Sequence, residues 1–182
     1  SHIQTYIKKL NFGHKKALKD KNIDYYNKYA KFIDKNTISL VDSKGKEEVI
    51  TADKILISVG GRPNYGNFPG AKENCITSDD IFSLKHRPGR TLVVGGSYIS
   101  LECAGFLNKL SSKEVNIMVR SRLLRGFDND ISNRIEEMMV NRGIGVLKNT
   151  IPIEFKRKNT NQIEVLYKDI NSNKEVTDVY DN

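Results

Sequence analysis

Arg120, Ser121 and Arg125 stand together just past the β-prone run Val115–Val119. Each guanidinium can hand two parallel N–H bonds to one phosphoryl group, and the serine hydroxyl adds a third donor. Upstream, Thr91-Leu92-Val93-Val94-Gly95-Gly96-Ser97-Tyr98-Ile99-Ser100-Leu101-Glu102 reads as a buried strand, a turn of small residues and the start of a helix. Such a turn lets backbone approach a pyrophosphate, and the helix N-terminus presents free N–H groups and a partial positive charge. Ser97 and Ser100 stand where the strict dinucleotide pattern wants glycine or alanine. Arg120 lies near the position, about 20 residues beyond the glycines, that meets the adenine ribose in such folds. A carboxylate there holds the 2′-hydroxyl and selects NAD, whereas a cation accepts a 2′-phosphate and selects NADP. No Asp or Glu directly follows this strand, so the pattern predicts NADPH over NADH. The plainer alternative is that these arginines are surface charges on a strand-to-helix loop.

Other chemistry-bearing residues are weaker candidates. Glu102 either faces the nicotinamide end of the cofactor or is an exposed helix residue. Tyr98 is a core aromatic, a ring stacked on a flavin, or a gate between two rings, and the physics of the sequence alone favours the core. Cys103 falls on an apolar helix face and reads as a packed thiol. Cys75 sits in a connector with no partner to lower its pKa. The two cysteines are too far apart for a CxxC pair, and His2, His14 and His86 have no metal-ligand spacing. No metal site and no catalytic residue are expected within this segment.

The elements that must position these residues follow from periodicity. Ile3, Tyr6, Ile7 and Leu10 recur at helical spacing over His2 to Leu10. Short β-prone runs at Tyr29 to Ile33, Thr37 to Val41 and Glu48 to Thr51, separated by Asp34-Lys35-Asn36 and Asp42-Ser43-Lys44-Gly45, predict a meander. Lys54 to Val59 is a continuous apolar run of the kind buried in a parallel sheet. A polar connector fills 64–86. Strand 90–94, helix 98–110 (apolar at Leu101, Ala104, Phe106, Leu107 and Leu110), strand 115–119 and helix 128–142 (apolar at Ile131, Ile135, Met138 and Met139) follow. Asp128 or Asp130 caps the second helix and Gly143 ends it. Strands near 146–147, 153–155, 163–167 and 175–180 close the chain. This is an α/β fold: one mononucleotide-binding half with a parallel sheet, followed by an antiparallel meander. Residues 1–63 hold too little to bury a parallel strand on both faces, so an upstream piece is expected.

Composition agrees with a globular chain. The 182 residues are 38% hydrophobic and 29% charged, with a net charge of +8. No apolar run approaches the roughly 18 residues of a membrane span, and the first residues lack a signal peptide's apolar stretch. The basic excess reads mainly as lysines on solvated faces. A nucleic-acid partner is the competing explanation, and nothing resembles an aromatic-interleaved RNA-binding patch.

The run Thr91 to Leu107, the run Met118-Val-Arg-Ser-Arg-Leu-Leu-Arg-Gly-Phe-Asp128 and Ile76 to Leu84 closely resemble the high-molecular-weight thioredoxin reductases. The likeness extends more thinly over the whole chain, and the Leu-Arg-Gly-Phe-Asp segment separates this group from glutathione reductase and lipoamide dehydrogenase. The resemblance implies a homodimeric flavoprotein with NADPH and FAD as cofactors and thioredoxin as electron acceptor. It assigns Arg120, Ser121 and Arg125, with Gly126 and Phe127 beside them, to the 2′-phosphate side of NADPH. It sets Gly96, Ser97, Tyr98, Ile99, Ser100, Leu101 and Glu102 around the pyrophosphate and nicotinamide, with Arg62 near the cofactor. Tyr98 becomes the ring between nicotinamide and flavin, and Ala30, Val59 and Gly60 touch FAD. Ser58-Val59-Gly60 replaces the usual Ala-Thr-Gly, which removes a hydroxyl at Val59 and leaves backbone contacts there. The resemblance implies that 1–86 is the end of a first FAD-binding segment plus connector, and 87–182 an NADPH-binding domain. The chain is then the middle of a larger cytoplasmic or mitochondrial enzyme, inactive by itself. The alternatives are a related flavin disulfide reductase, such as a glutathione reductase-like enzyme, and a non-catalytic NADPH-binding module.

Overall fold

The computed structural model describes residues 2–110 and 113–182. The chain forms two compact units, Ser1–Arg62 and Pro63–Asn182.

The first unit opens with helix α1 (His2–Asp20), which runs well past the expected end at Leu10. Lys15-Lys16-Ala17-Leu18-Lys19 are good helix formers, and the single Gly13 is tolerated. The helix stops where Asn22 turns left-handed at φ 54°. The Asn22 N–H then reaches the Lys19 carbonyl at 3.0 Å, and the Ile23 N–H the Leu18 carbonyl at 3.0 Å. Strands β1 (Tyr29–Phe32), β2 (Thr37–Val41) and β3 (Glu47–Thr51) form the anticipated antiparallel meander. Its turns are held by Asp34, whose carboxylate accepts the Asn36 and Thr37 amides, and by Asp42, which accepts those of Lys44 and Lys46. The expectation of a buried strand over 54–59 is corrected. That segment has no regular structure, and Leu56, Ile57 and Val59 are exposed. An apolar run becomes a strand only against a neighbour, and none among the described residues pairs with it.

The second unit is a three-layer α/β structure. The connector joins it and is more ordered than its polar composition suggests. It contains the one-turn helix α2 (Ala71–Asn74) and a tight 3₁₀ turn (Ile81–Ser83). Strands β4 (Thr91–Val94), β5 (Val115–Val119) and β6 (Gly145–Lys148) make a parallel sheet in the order β4-β5-β6. Helix α3 (Tyr98–Leu110) crosses from β4 to β5, and α4 (Asn129–Asn141) from β5 to β6. The central strand is buried along its whole length. Its odd residues Val115, Ile117 and Val119 pack with Leu101, Ala104, Leu107, Leu123, Leu124, Met139 and Ile144 on the helix side. Met118 faces the other way, into Phe155, Ile163, Val165, Tyr167 and Tyr180. These belong to the antiparallel sheet β7 (Thr150–Asn159), β8 (Gln162–Asp169) and β9 (Glu175–Tyr180).

Helix α4 shows the expected punctuation. Asp128 caps α4 by accepting the Asp130 and Ile131 amides at 3.0 Å. Gly143 ends it at φ 84° while the Ile144 N–H reaches back to the Met139 carbonyl. The apolar stripes are narrower than read from sequence: Leu110, Ile131 and Met138 are exposed.

Gly70 joins the connector to β7. Its φ is +73°, and a Cβ there would run into the Phe155 carbonyl oxygen. Flanking bonds fix that approach, with the Phe155 amide donating to the Pro69 carbonyl at 2.9 Å and the Asn74 side chain donating to the Phe155 carbonyl at 3.1 Å. Gly70→Ala is therefore expected to cost about 2–4 kcal/mol, from left-handed strain plus displaced backbone. Urea unfolding checks this; a cost below about 0.5 kcal/mol refutes the rigidity of this junction.

Candidate functional site

Two segments meet at the C-terminal edge of the parallel sheet, the side where α/β folds hold ligands. The first is the glycine turn after β4. Gly95 takes φ +123°, a conformation few other residues adopt, and its amide donates to the Met118 carbonyl at 2.9 Å. Gly96 lies against the end of β5. A Cβ at this position would stand 2.7 Å from Val119 Cγ2 and 3.2 Å from the Arg122 carbonyl oxygen. The absence of a side chain thus lets the turn and β5 approach one another. Helix α3 starts immediately, with the Leu101 amide bonded to the Ser97 carbonyl at 3.2 Å. The first-turn amides of Tyr98, Ile99 and Ser100 have no acceptor within the helix.

The second segment is the loop from β5 to α4. Leu123 and Leu124 are buried, at 0% and 5% exposure, and pin the loop into the core between exposed arginines. The Leu124 amide donates to the Gly96 carbonyl at 2.6 Å, stitching the loop to the glycine turn. The Phe127 amide donates to the Leu124 carbonyl at 3.0 Å, closing a turn with Gly126 at φ +99°. Arg125 occupies the second position of that turn.

The expected site residues of the second unit divide by exposure. Ser97, Tyr98, Ile99, Glu102, Arg120, Ser121, Arg125, Gly126 and Phe127 are exposed. Gly96 and Ser100 are half-buried, and Leu101 is a core residue. Tyr98, at 56% exposure, corrects the reading of it as a core aromatic. It is the first residue of α3, on a face turned away from the sheet. Glu102 lies on the exposed side of α3. Among the described residues Arg120 and Arg125 have no acidic partner. Arg122 is engaged locally, its guanidinium donating to the Phe127 carbonyl at 3.4 Å. In the first unit, Ala30, Val59, Gly60 and Arg62 are all exposed.

The thiols are not activated. Burial pushes Cys75 up to about 11, with Arg157 opposing weakly. Cys103 is raised by burial and by the neighbouring Glu102 charge. Both line an apolar cavity of about 500 Å³ beside β4, together with Phe68, Val94 and Phe155.

Sequence reasoning missed two residues that build this unit. Leu124 is one; two adjacent leucines inside an arginine loop are its visible signal. Arg90 is the other. Its guanidinium grips Asp178 through two bonds at 2.6 and 2.9 Å, Glu114 at 2.7 Å and the Val179 carbonyl at 2.6 Å, and it stacks 4.4 Å from the Tyr180 ring centroid.

No helix among the described residues is long and apolar enough to cross a membrane. The chain matches, over residues 2–179, the family model described as pyridine nucleotide-disulphide oxidoreductase. It is 47% identical over 150 residues to "Thioredoxin reductase SEP1" of Emiliania huxleyi, covering 82% of this chain and 30% of that protein. It is 43% identical over 180 residues to "Thioredoxin reductase 2, mitochondrial" of Drosophila melanogaster, covering 98% of this chain and 35% of that protein. The chain thus spans about a third of the length of these curated relatives. With a parallel sheet flanked by α3 and α4 and a family match across nearly all its residues, the chain belongs to the pyridine nucleotide-disulphide oxidoreductases.

Proposed function

We propose that the second unit holds NADPH for a thioredoxin reductase. The reading rests on one observation: the loop bearing two guanidinium groups with no acidic partner among the described residues is hydrogen-bonded, through Leu124 and Gly96, to the glycine turn. In this reading the amides of the α3 first turn face the pyrophosphate, where their partial positive charge favours it. Arg120 and Arg125, with Ser121, grip the 2′-phosphate by charge-assisted bonds. Leu101 is the core anchor of the helix rather than a contact through its side chain. Tyr98, already free of the core, lies beside the nicotinamide and flavin. Glu102 borders the nicotinamide end, and Gly126 and Phe127 shape the adenosine end. Arg62 is assigned to the same cofactor, and Ala30, Val59 and Gly60 to FAD by backbone, since Val59 offers no hydroxyl. When bound, the cofactor pair supplies a hydride route from nicotinamide to flavin and on to a disulfide. Thioredoxin as acceptor is part of the same proposal, supported by the two relatives' names, and so is a mitochondrial setting, supported by one of them; a homodimer and a cytoplasmic alternative belong to it as what the family resemblance implies.

Titration of the full-length protein with NADPH and NADH tests the reading. NADPH should bind at least about tenfold more tightly at low salt, with the gap narrowing as salt rises. Equal affinity for the two nucleotides would refute it.

A further inference from the structure

Leu124 is bound on every side. Its side chain is buried at 5% exposure. Its backbone takes φ +49°, a conformation that costs a branched residue energy and persists only when its surroundings impose it. Its amide donates to the Gly96 carbonyl, and its carbonyl accepts from the Phe127 amide at 3.0 Å. The Ser132 hydroxyl of α4, in a residue 2% exposed, donates to the Asp128 carbonyl at 2.7 Å and only borders the Leu124 carbonyl, at 3.5 Å. The next residue is Arg125. Leu124 thus ties the arginine turn both to the glycine turn and to the core.

We propose that Leu124 is the positioning residue for nucleotide discrimination: it locks the arginine turn to the glycine turn, so Arg125 meets a phosphoryl group at a fixed distance from the pyrophosphate. This rests on the NADPH reading above and deepens it. Leu124 touches no cofactor atom. It acts by removing freedom from the loop, and the ordering energy is spent in folding rather than in binding. The strained φ fits this role, because strain at a loop hub is held by its anchors. A nucleotide without a 2′-phosphate gains nothing from that order, so the effect is confined to NADPH.

The experiment is steady-state kinetics of full-length Leu124→Ala, Leu124→Met and Arg125→Ala with NADPH and with NADH. Leu124→Ala deletes the core anchor while retaining the strained backbone. It should raise the KM for NADPH about tenfold and that for NADH less than about twofold. Leu124→Met keeps the volume and should restore the NADPH-to-NADH ratio to within about twofold of the parent. If Leu124→Ala does not fold, Leu124→Gly, which relieves the left-handed strain, reads the same ratio. Parallel rises in both KM values, or an unchanged ratio, overturn the positioning role. Arg125→Ala separates the two claims. If it collapses the ratio while Leu124→Ala leaves it intact, only the positioning role falls. If Arg125→Ala itself keeps the ratio, the NADPH reading falls with it.

Discussion

Replacing Arg120 and Arg125 together by alanine is expected to erase the preference for NADPH over NADH while leaving the fold intact. Both side chains are exposed and lack acidic partners among the described residues, so no core contact or ion pair is lost. A hydrogen bond to a charged group contributes about 1.5–3 kcal/mol, so each single variant should lower kcat/KM for NADPH about ten- to a hundredfold. The double variant should lose more, though less than the product of the two if both arginines serve one phosphate. NADH turnover should change less than about twofold, because its ribose carries no phosphate for them to hold. Lysine is a poor substitute: it keeps the charge and loses the two-pronged geometry. Steady-state kinetics with both nucleotides decides the matter. Equal losses would assign the arginines to general electrostatic steering, which does not distinguish the two nucleotides' chemistry.

The parallel core was legible because its elements obey strong local rules. Val115–Val119 is apolar at every position but Asn116 and is the central strand, buried on both faces. Tyr98–Leu110 carries Leu101, Ala104 and Leu107 on one face and ends within the expected bounds. Asp128 and Gly143 punctuate α4 by local side-chain and backbone chemistry alone. What failed was whatever depends on a distant partner. Lys54–Val59 has strand composition, and no composition can say whether a neighbouring strand is present. Tyr98 has a core residue's chemistry at a helix terminus, where position rather than type sets exposure. Arg90 sits at a strand entrance like any solvated charge, yet its carboxylate partners lie far along the chain, Glu114 just before β5 and Asp178 in β9. The glycine turn was readable as a strand-to-helix turn, whereas its bond to Leu124 depends on how β4 and β5 lie side by side.

Arg90→Ala is expected to destabilise the second unit by about 3 kcal/mol, the scale for stranding a partly buried, hydrogen-bonded carboxylate. Arg90 joins three pieces of chain: the entrance to β4, Glu114 before β5, and Asp178 of β9. Its own amide also bonds the Asp181 carboxylate at 2.9 Å, which in turn pairs with Lys113 at 2.6 Å. It is therefore a weld between the parallel and antiparallel sheets. Arg90→Lys should recover little, since one ammonium cannot meet Asp178 in two-pronged fashion and Glu114 as well. The Arg90 hydrogen bond holds the Asp178 carboxyl below its ordinary range, and does the same for Glu114. The sign follows. A carboxyl that ionises more easily in the folded state contributes stability above the unfolded value, about pH 4, and loses it as pH falls through the lower folded value. At the alkaline end, burial pushes Tyr180 up to about 12. Its contribution is complete below the unfolded value, about pH 10, and fades as pH rises toward the folded one. Urea unfolding of the full-length protein across pH, with hydrogen exchange at β4 and β9, reads all of this. In Arg90→Ala the acid limb should flatten, because the carboxyls then titrate near their unfolded values. A steep acid limb surviving the substitution, or a loss under about 0.5 kcal/mol, would reduce the weld to an ordinary surface ion pair.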